Sequence, residues 1–244
     1  MERAVLKCVV LGVVDTGESD RVVSLFSEDR GRLSAFAAHA RKSTRRFGGA
    51  LEPFTLLNAA VCERRGELYR FERAEILEPF TGIRGDLSDI ARAGYACELV
   101  RELCREREPH PELFGELVNL LFRLSRRTST PEDLLGFELR ALAWAGLRPT
   151  LDACAGCGNP PSALDRFDAD MGGLLCPACT RKVPGARPIS FEAAEVLRAL
   201  QSGVRGPQAS APRREARDHL ERFIAHHLGK PLRAAEFMRS LAVE

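Results

Sequence analysis

The sequence predicts a multidomain α+β protein in which a small closed β-barrel is followed by a helical bundle carrying an inserted four-cysteine metal module. Five short runs rich in Val, Leu and Phe fill the first eighty or so residues without a helical period, a 3.6-residue period sets in after Gly85, and two C-x-x-C knuckles lie between Cys154 and Cys179. The expected boundaries are 1–80 for the barrel, 81–150 with 186–244 for the bundle, and 151–185 for the module.

The runs are Val5–Val14, Arg21–Ser27, Leu33–Ala38, Phe54–Cys62 and Glu67–Leu77. Asp29-Arg30-Gly31 and Arg64-Arg65-Gly66 supply glycine-ended turns between them. Five strands in a domain of this size suit the oligonucleotide-binding (OB) barrel, the commonest five-stranded arrangement, with an SH3-like barrel as the competitor. Tyr69 and Phe71 flank Arg70, so in a strand both rings share one face, which for most such pairs is the core.

Between the third and fourth runs, His39–Gly49 holds Arg41, Lys42, Arg45 and Arg46, no acid, and Phe47. Such a loop suits phosphate tracking, because cations displace condensed counterions and an aromatic offers a stacking face to an unpaired base. Four phosphate contacts on a single strand would give a salt slope of about −2.8, or roughly 50-fold weaker binding for a fourfold rise in salt. An ordinary solvated loop is the alternative. Net charge is only +2, but residues 1–50 carry nine Lys/Arg against six Asp/Glu and residues 186–244 ten against seven, so basic character gathers at both ends.

After Gly85, Ile90, Ala93, Gly94, Cys97, Val100, Arg101 and Cys104 share helical spacing, as do Leu113, Leu117, Leu120, Leu121 and Leu124 beyond Pro109-His110-Pro111. A third helix starts with Thr130 as N-cap, Pro131 and Asp133, and stops at Gly146. Ser190 caps a fourth that ends at Gly203, and Gly206–Pro212 reads as a loop. A longer helix opens at Arg213-Arg214-Glu215-Ala216-Arg217 and closes at Gly229, and a last one runs from about Ala234 to Leu241.

Cys154-Ala155-Gly156-Cys157 and Cys176-Pro177-Ala178-Cys179 enclose eighteen residues between Cys157 and Cys176, which is zinc spacing. Each knuckle aims two thiolates at one point, and four sulfurs close the coordination sphere, so the expected Zn²⁺ is structural. Two disulfides, or free cysteines that happen to repeat, are the alternatives. The metal contributes about 10–16 kcal/mol, against about 18–36 kcal/mol for ordering the intervening backbone. Phe167, Leu174 and Leu175 must therefore pack inside the module or against a neighbour. Cys8, Cys62, Cys97 and Cys104 read as small buried side chains. The apolar stretch Ala4–Val14 is broken by Lys7 and is too short to span a bilayer, so no membrane partner is expected. No G-x-x-x-x-G-K-[ST], G-x-G-x-x-G or G-x-S-x-G occurs, and His110-Pro111-Glu112 lacks the Pro-Cys context of the zinc deaminases, so no bond chemistry is expected.

Gly17-Glu18-Ser19-Asp20-Arg21, Ser24-Leu25-Phe26, Gly31-Arg32-Leu33, the basic loop, Leu51-Glu52-Pro53-Phe54-Thr55 and Arg65-Gly66-Glu67-Leu68 resemble the amino-terminal half of the RecO family of bacterial recombination mediators. The tail His226-His227-Leu228-Gly229-Lys230-Pro231-Leu232 with Glu236-Phe237 resembles that family's carboxy-terminal motif, and the four-cysteine insertion falls where many members carry theirs. Each motif is weak alone, but their order is specific. The chain departs from the pattern at Arg233-Ala234-Ala235, which removes the hydroxyl cap of the last helix.

The resemblance implies an OB barrel, a helical domain with a zinc module, and function without turnover. The implied activity is binding of single- and double-stranded DNA, annealing of complementary strands and, with RecR and in some members RecF, loading of RecA onto DNA coated by single-strand-binding protein. It implies a cytoplasmic protein, nucleoid-associated when DNA-bound. The DNA contacts it implies are Arg41, Lys42, Arg45 and Arg46, with Arg21 and Arg32 on neighbouring strands and Arg213, Arg214 and Arg217 in the basic tail. A zinc-ribbon scaffold that binds protein partners only is the competing reading.

Overall fold

A computed structural model describes residues 3–63, 68–160, 165–204 and 209–241. Five strands close the barrel: β1 (Arg3–Thr16), β2 (Asp20–Ser27), β3 (Gly31–Ala37), β4 (Leu56–Cys62) and β5 (Tyr69–Glu78), in the order β1-β2-β3-β5-β4 with β1 against β4. This is the OB arrangement, and it rules out the SH3-like alternative. The closure depends on β1 being long. Its first half pairs with β4 and its second with β2, and the register slips between Val10 and Gly12, where the strand bends from one partner to the next.

Alternation is clearest in β3. Leu33, Ala35 and Ala37 are buried while Arg32, Ser34 and Phe36 are not. Tyr69 and Phe71 point into the same core, as their spacing requires. The fourth strand starts at Leu56 rather than Phe54, because Phe54 sits in a turn at φ 75°. The expected Arg64-Arg65-Gly66 turn and the Glu67 start of the fifth strand lie outside the described residues.

The basic loop differs from its sequence reading. It contains a single helical turn, α1 (Thr44–Phe47), and Phe47 is only 3% exposed, packed edge-on to Phe71 at 5.5 Å with Ala40, Ala50 and Leu51 around it. Phe47 therefore plugs one end of the barrel and offers no stacking face. Burying such a ring stabilises by about 1.5–3 kcal/mol, more than an exposed aromatic on a loop would contribute.

Residues 1–129 form one compact unit and 130–244 a second. In the first, a 3₁₀ turn (Thr81–Gly85) leads to α2 (Leu87–Leu103) and α3 (Pro111–Ser125), and Phe114 of α3 meets Phe26 of β2 at 6.0 Å. The leucines expected on α3 are all buried. Of the stripe expected on α2, Ala93, Cys97, Val100 and Cys104 are buried, but burial continues nearly all round the helix, with Ala91, Tyr95, Ala96 and Leu99 also inside and Arg101 outside beside Glu98 and Glu102. A helix covered on several sides has no single apolar face for a periodicity argument to find. The segment after α2 returns to the barrel, where Arg107 N–H donates to Arg32 O at 2.9 Å. A Cβ on Gly31 would lie 1.9 Å from Glu108 O, so the turn before β3 admits only glycine.

The second unit contains α4 (Pro131–Trp144), the cysteine module with its short α5 (Pro177–Thr180), α6 (Phe191–Gln201), α7 (Ser210–Leu228) and α8 (Arg233–Ser240). Asp133 accepts from the Thr130 N–H at 2.6 Å, and Ser190 accepts from the Ala193 N–H, as the cap residues demand. Helix α7 opens three residues before Arg213, because Pro212 is tolerated in a first turn. Gly229 ends it at φ 70°. Among the described residues no helix is long and apolar enough to cross a membrane.

His219 of α7 is buried, with Nε2 2.9 Å from Pro188 O. Burial pushes its pKa below the usual 6.5, against the carbonyl contact, which favours the charged form. The unfolded chain then binds a proton that the folded one resists, so this unit loses stability as pH falls below about 6.5. Chemical denaturation of wild type and His219→Gln at pH 7.5 and 5.5 is expected to show a smaller pH-dependent loss in the variant.

Candidate nucleic-acid interface and metal centre

In the module, β6 (Arg166–Asp168), β7 (Gly173–Leu175) and β8 (Arg187–Pro188) form a three-stranded sheet, and α5 is the single turn of the second knuckle. The Sγ atoms of Cys154, Cys157, Cys176 and Cys179 all lie within 4.8 Å of one another, and Cys157 and Cys176 are 3.9 Å apart. Tetrahedral zinc with Zn–S bonds of about 2.3 Å places sulfurs about 3.8 Å apart, so the four thiols are spaced to share one ion, and they form no disulfides. A Cβ at Gly156 would come within 3.1 Å of Cys179 Sγ, which explains the glycine in the first knuckle. Burial opposes ionisation of Cys154, but the backbone N–H groups of Cys176, Gly156 and Cys157 outweigh it and bring the thiol down to about 6, which prepares a thiolate ligand.

Phe167, Leu174 and Leu175 are buried, as the cost of ordering this segment requires. Phe167 packs on Phe223 at 5.9 Å and on His219 at 5.4 Å, so the module is fastened to α7 by its central strand. The remaining cysteines are buried, and desolvation pushes Cys8 and Cys97 up to about 12, leaving inert thiols.

At the barrel, Arg41 and Lys42 are exposed beside the β1–β2 turn, and the Arg41 N–H donates to Ser19 O at 3.0 Å. Arg46 is committed locally: its guanidinium donates to Ala38 O at 2.6 Å and to Ser43 Oγ, and lies over the Phe47 ring. The side chain of Arg45 lies outside the described residues. Arg21 pairs with Asp15 at 3.0 Å. Arg32 donates to Cys104 O and faces Glu106, anchoring the segment after α2.

The resemblance extends the expected DNA contacts to the three tail arginines, but two of them are turned inward. Arg213 meets Glu132 at 2.7 Å and Arg217 meets Glu138 at 3.6 Å, with Glu138 1% exposed. These ions join α7 to α4 inside the second unit, and Arg214 alone of the three is exposed. Sequence reasoning also missed an outward aromatic. Phe36 is the cross-strand neighbour of Val22 on β2 and of Arg70 on β5, and the three make a row across the outer barrel face. The signal was the alternation in Gly31–Ala37, which leaves Phe36 on the face opposite Leu33 and Ala35.

Residues 1–80 match the family described as "Recombination protein O N terminal", and residues 84–236 match "Recombination protein O C terminal". The chain belongs to the RecO family. The DNA repair protein RecO of Myxococcus xanthus is 46% identical over 244 residues, covering 100% of both chains. That of Anaeromyxobacter dehalogenans is 50% identical over 245 residues, 98% of this chain and 96% of the relative. That of Pelobacter propionicus is 39% identical over 244 residues, 98% and 97%. Membership in the RecO family supports a role in DNA repair and recombination.

Proposed function

We propose that this member of the RecO family is a non-catalytic recombination mediator. It binds single- and double-stranded DNA without reading sequence, anneals complementary strands and, with RecR and in some settings RecF, promotes RecA loading onto DNA coated by single-strand-binding protein. In this reading it acts in the cytoplasm, at the nucleoid when DNA-bound. The observation that carries the reading is an OB barrel whose exposed Arg41 and Lys42 stand at one end and whose Val22–Phe36–Arg70 row lies on its outer face. Cations suit phosphates, and a ring beside a guanidinium suits bases of any identity. A mediator must also release its strand, and several weak contacts allow this better than a clamp. Annealing follows when two strands, each partly neutralised, are held close together.

The four thiols are proposed to bind Zn²⁺ as a structural ion, since four sulfurs leave no position for water or substrate. The residues that would hold it are Cys154, Cys157, Cys176 and Cys179, and its chemistry there is cross-linking of the two knuckles.

Fluorescence anisotropy with single-stranded DNA of several sequences, at two salt concentrations, tests the binding. Arg41→Ala with Lys42→Ala should weaken all sequences alike and flatten the salt slope by about 1.4, at roughly 0.7 for each phosphate left without its cation. A loss confined to some sequences contradicts the reading. Absence of DNA binding at low salt would favour the scaffold that binds proteins only.

A further inference from the structure

The β1–β2 ladder places Asp15 directly opposite Arg21, at the rim of the barrel. Asp15 Oδ1 accepts from Arg21 Nε at 3.0 Å, and Oδ2 lies 3.7 Å from Arg41 Nε. Arg41 also donates to Glu18 O at 3.3 Å, which holds its guanidinium over this rim. Two guanidiniums thus converge on the two oxygens of one small anion. That is the way a pair of arginines grips a phosphate.

An open cleft of about 500 Å³ lies beside the cluster. Val14, 66% exposed, and Pro53 give it its accessible apolar surface over a floor of Val13 and the buried Leu51, Asp15 and Arg21 form its charged wall, and Glu52 stands at its edge. Its volume falls within the range of small-ligand clefts, roughly 300–1,000 Å³. A single unpaired nucleotide presents the matching pair of features, an anion joined to a flat, largely apolar base. A duplex cannot present its bases this way.

We propose that this rim is a one-nucleotide subsite for single-stranded DNA, in which a backbone phosphate takes the place of the Asp15 carboxylate between Arg21 and Arg41 and the attached base enters the cleft. The proposal rests on the nucleic-acid reading of the barrel given above. Asp15 is then an internal competitor. The exchange is facile because solvent-exposed ion pairs of this kind hold only weakly, and the arginines have an anionic partner before and after it. The displaced carboxylate remains close to the incoming phosphate and repels it. The subsite is thereby kept weak and easily vacated.

The test is binding of a fluorescent single-stranded oligonucleotide, and of the matching duplex, to the full chain. Asp15→Asn should tighten single-strand binding about fivefold at low salt, and the gain should shrink as salt screens the repulsion. In an Arg21→Met, Arg41→Met background the same change should give no gain. Val14→Asn, at a position 66% exposed, should weaken single-strand binding about threefold and leave duplex binding unchanged. The proposal is overturned if Asp15→Asn binds no tighter than wild type, if its gain persists without the two arginines, or if Val14→Asn affects duplex and single strand equally. Failure of the wild-type protein to bind any DNA would instead overturn the reading on which the subsite rests.

Discussion

Cys176→Ala should release the proposed Zn²⁺ and abolish the cooperative unfolding of residues 130–244, while the barrel unit keeps its own transition. Ordering the fourteen described residues between Cys157 and Cys176 costs about 14–28 kcal/mol of backbone entropy. Three buried apolar side chains return about 1.5–3 kcal/mol each, and the two paired sheet edges add backbone hydrogen bonds. Without an ion supplying about 10–16 kcal/mol, the knuckles cannot stay closed. Phe167 then loses the platform that holds it against Phe223 and His219, so the damage spreads to α7. Metal content by a colorimetric chelator and near-ultraviolet circular dichroism would register both effects. Full ordered structure in a metal-free variant would contradict the structural role.

Glu138→Ala should destabilise the second unit by about 3–5 kcal/mol, the cost of removing one member of a buried ion pair. Glu138 sits on α4 with its side chain 2% exposed, and the carboxylate lies 3.6 Å from Arg217 of α7. Its loss leaves the guanidinium in a low-dielectric setting without that counter-charge. Arg217→Met should cost a comparable amount, because it takes this counter-charge from the still more deeply buried Glu138 carboxylate, whereas Glu138→Leu combined with Arg217→Met should cost much less, since neither charge is then left to desolvate. Denaturant midpoints would order the variants. Arg217→Met should also leave DNA affinity unchanged, separating the helix-joining arginines from those on the barrel rim.

The parts of this molecule that were legible in its sequence are those decided by neighbours along the chain. Two knuckles at a fixed spacing announce themselves because each is a local turn. The Thr130-Pro131-Asp133 and Ser190 caps, and the glycine stops at Gly146, Gly203 and Gly229, are local in the same sense. The alternation of β3 is equally local, whereas Phe47 misleads because its basic neighbours resemble those of a solvated stacking ring. Only barrel closure explains it, since an open end exposes Phe71, Ala40 and Leu51 unless something fills it. Arg213 and Arg217 mislead for a related reason. A charge count records how many cations a segment carries but not which side of a helix meets a carboxylate, and Glu132 lies 81 residues from Arg213. The burial of Ala91, Tyr95 and Leu99 outside the expected stripe of α2 likewise depends on what surrounds the helix.

With Phe47 sunk in the barrel and Arg46 tied to Ala38 O, the segment that carries Arg41 and Lys42 is already built before any ligand arrives. In the proposed reading, association there would require no disorder-to-order transition on the protein side, so the conformational adjustment would fall on the flexible polynucleotide, which would bend its backbone to a fixed template. Encounter rates at this site should accordingly follow ionic strength and strand stiffness, and should be indifferent to changes that loosen distant helices.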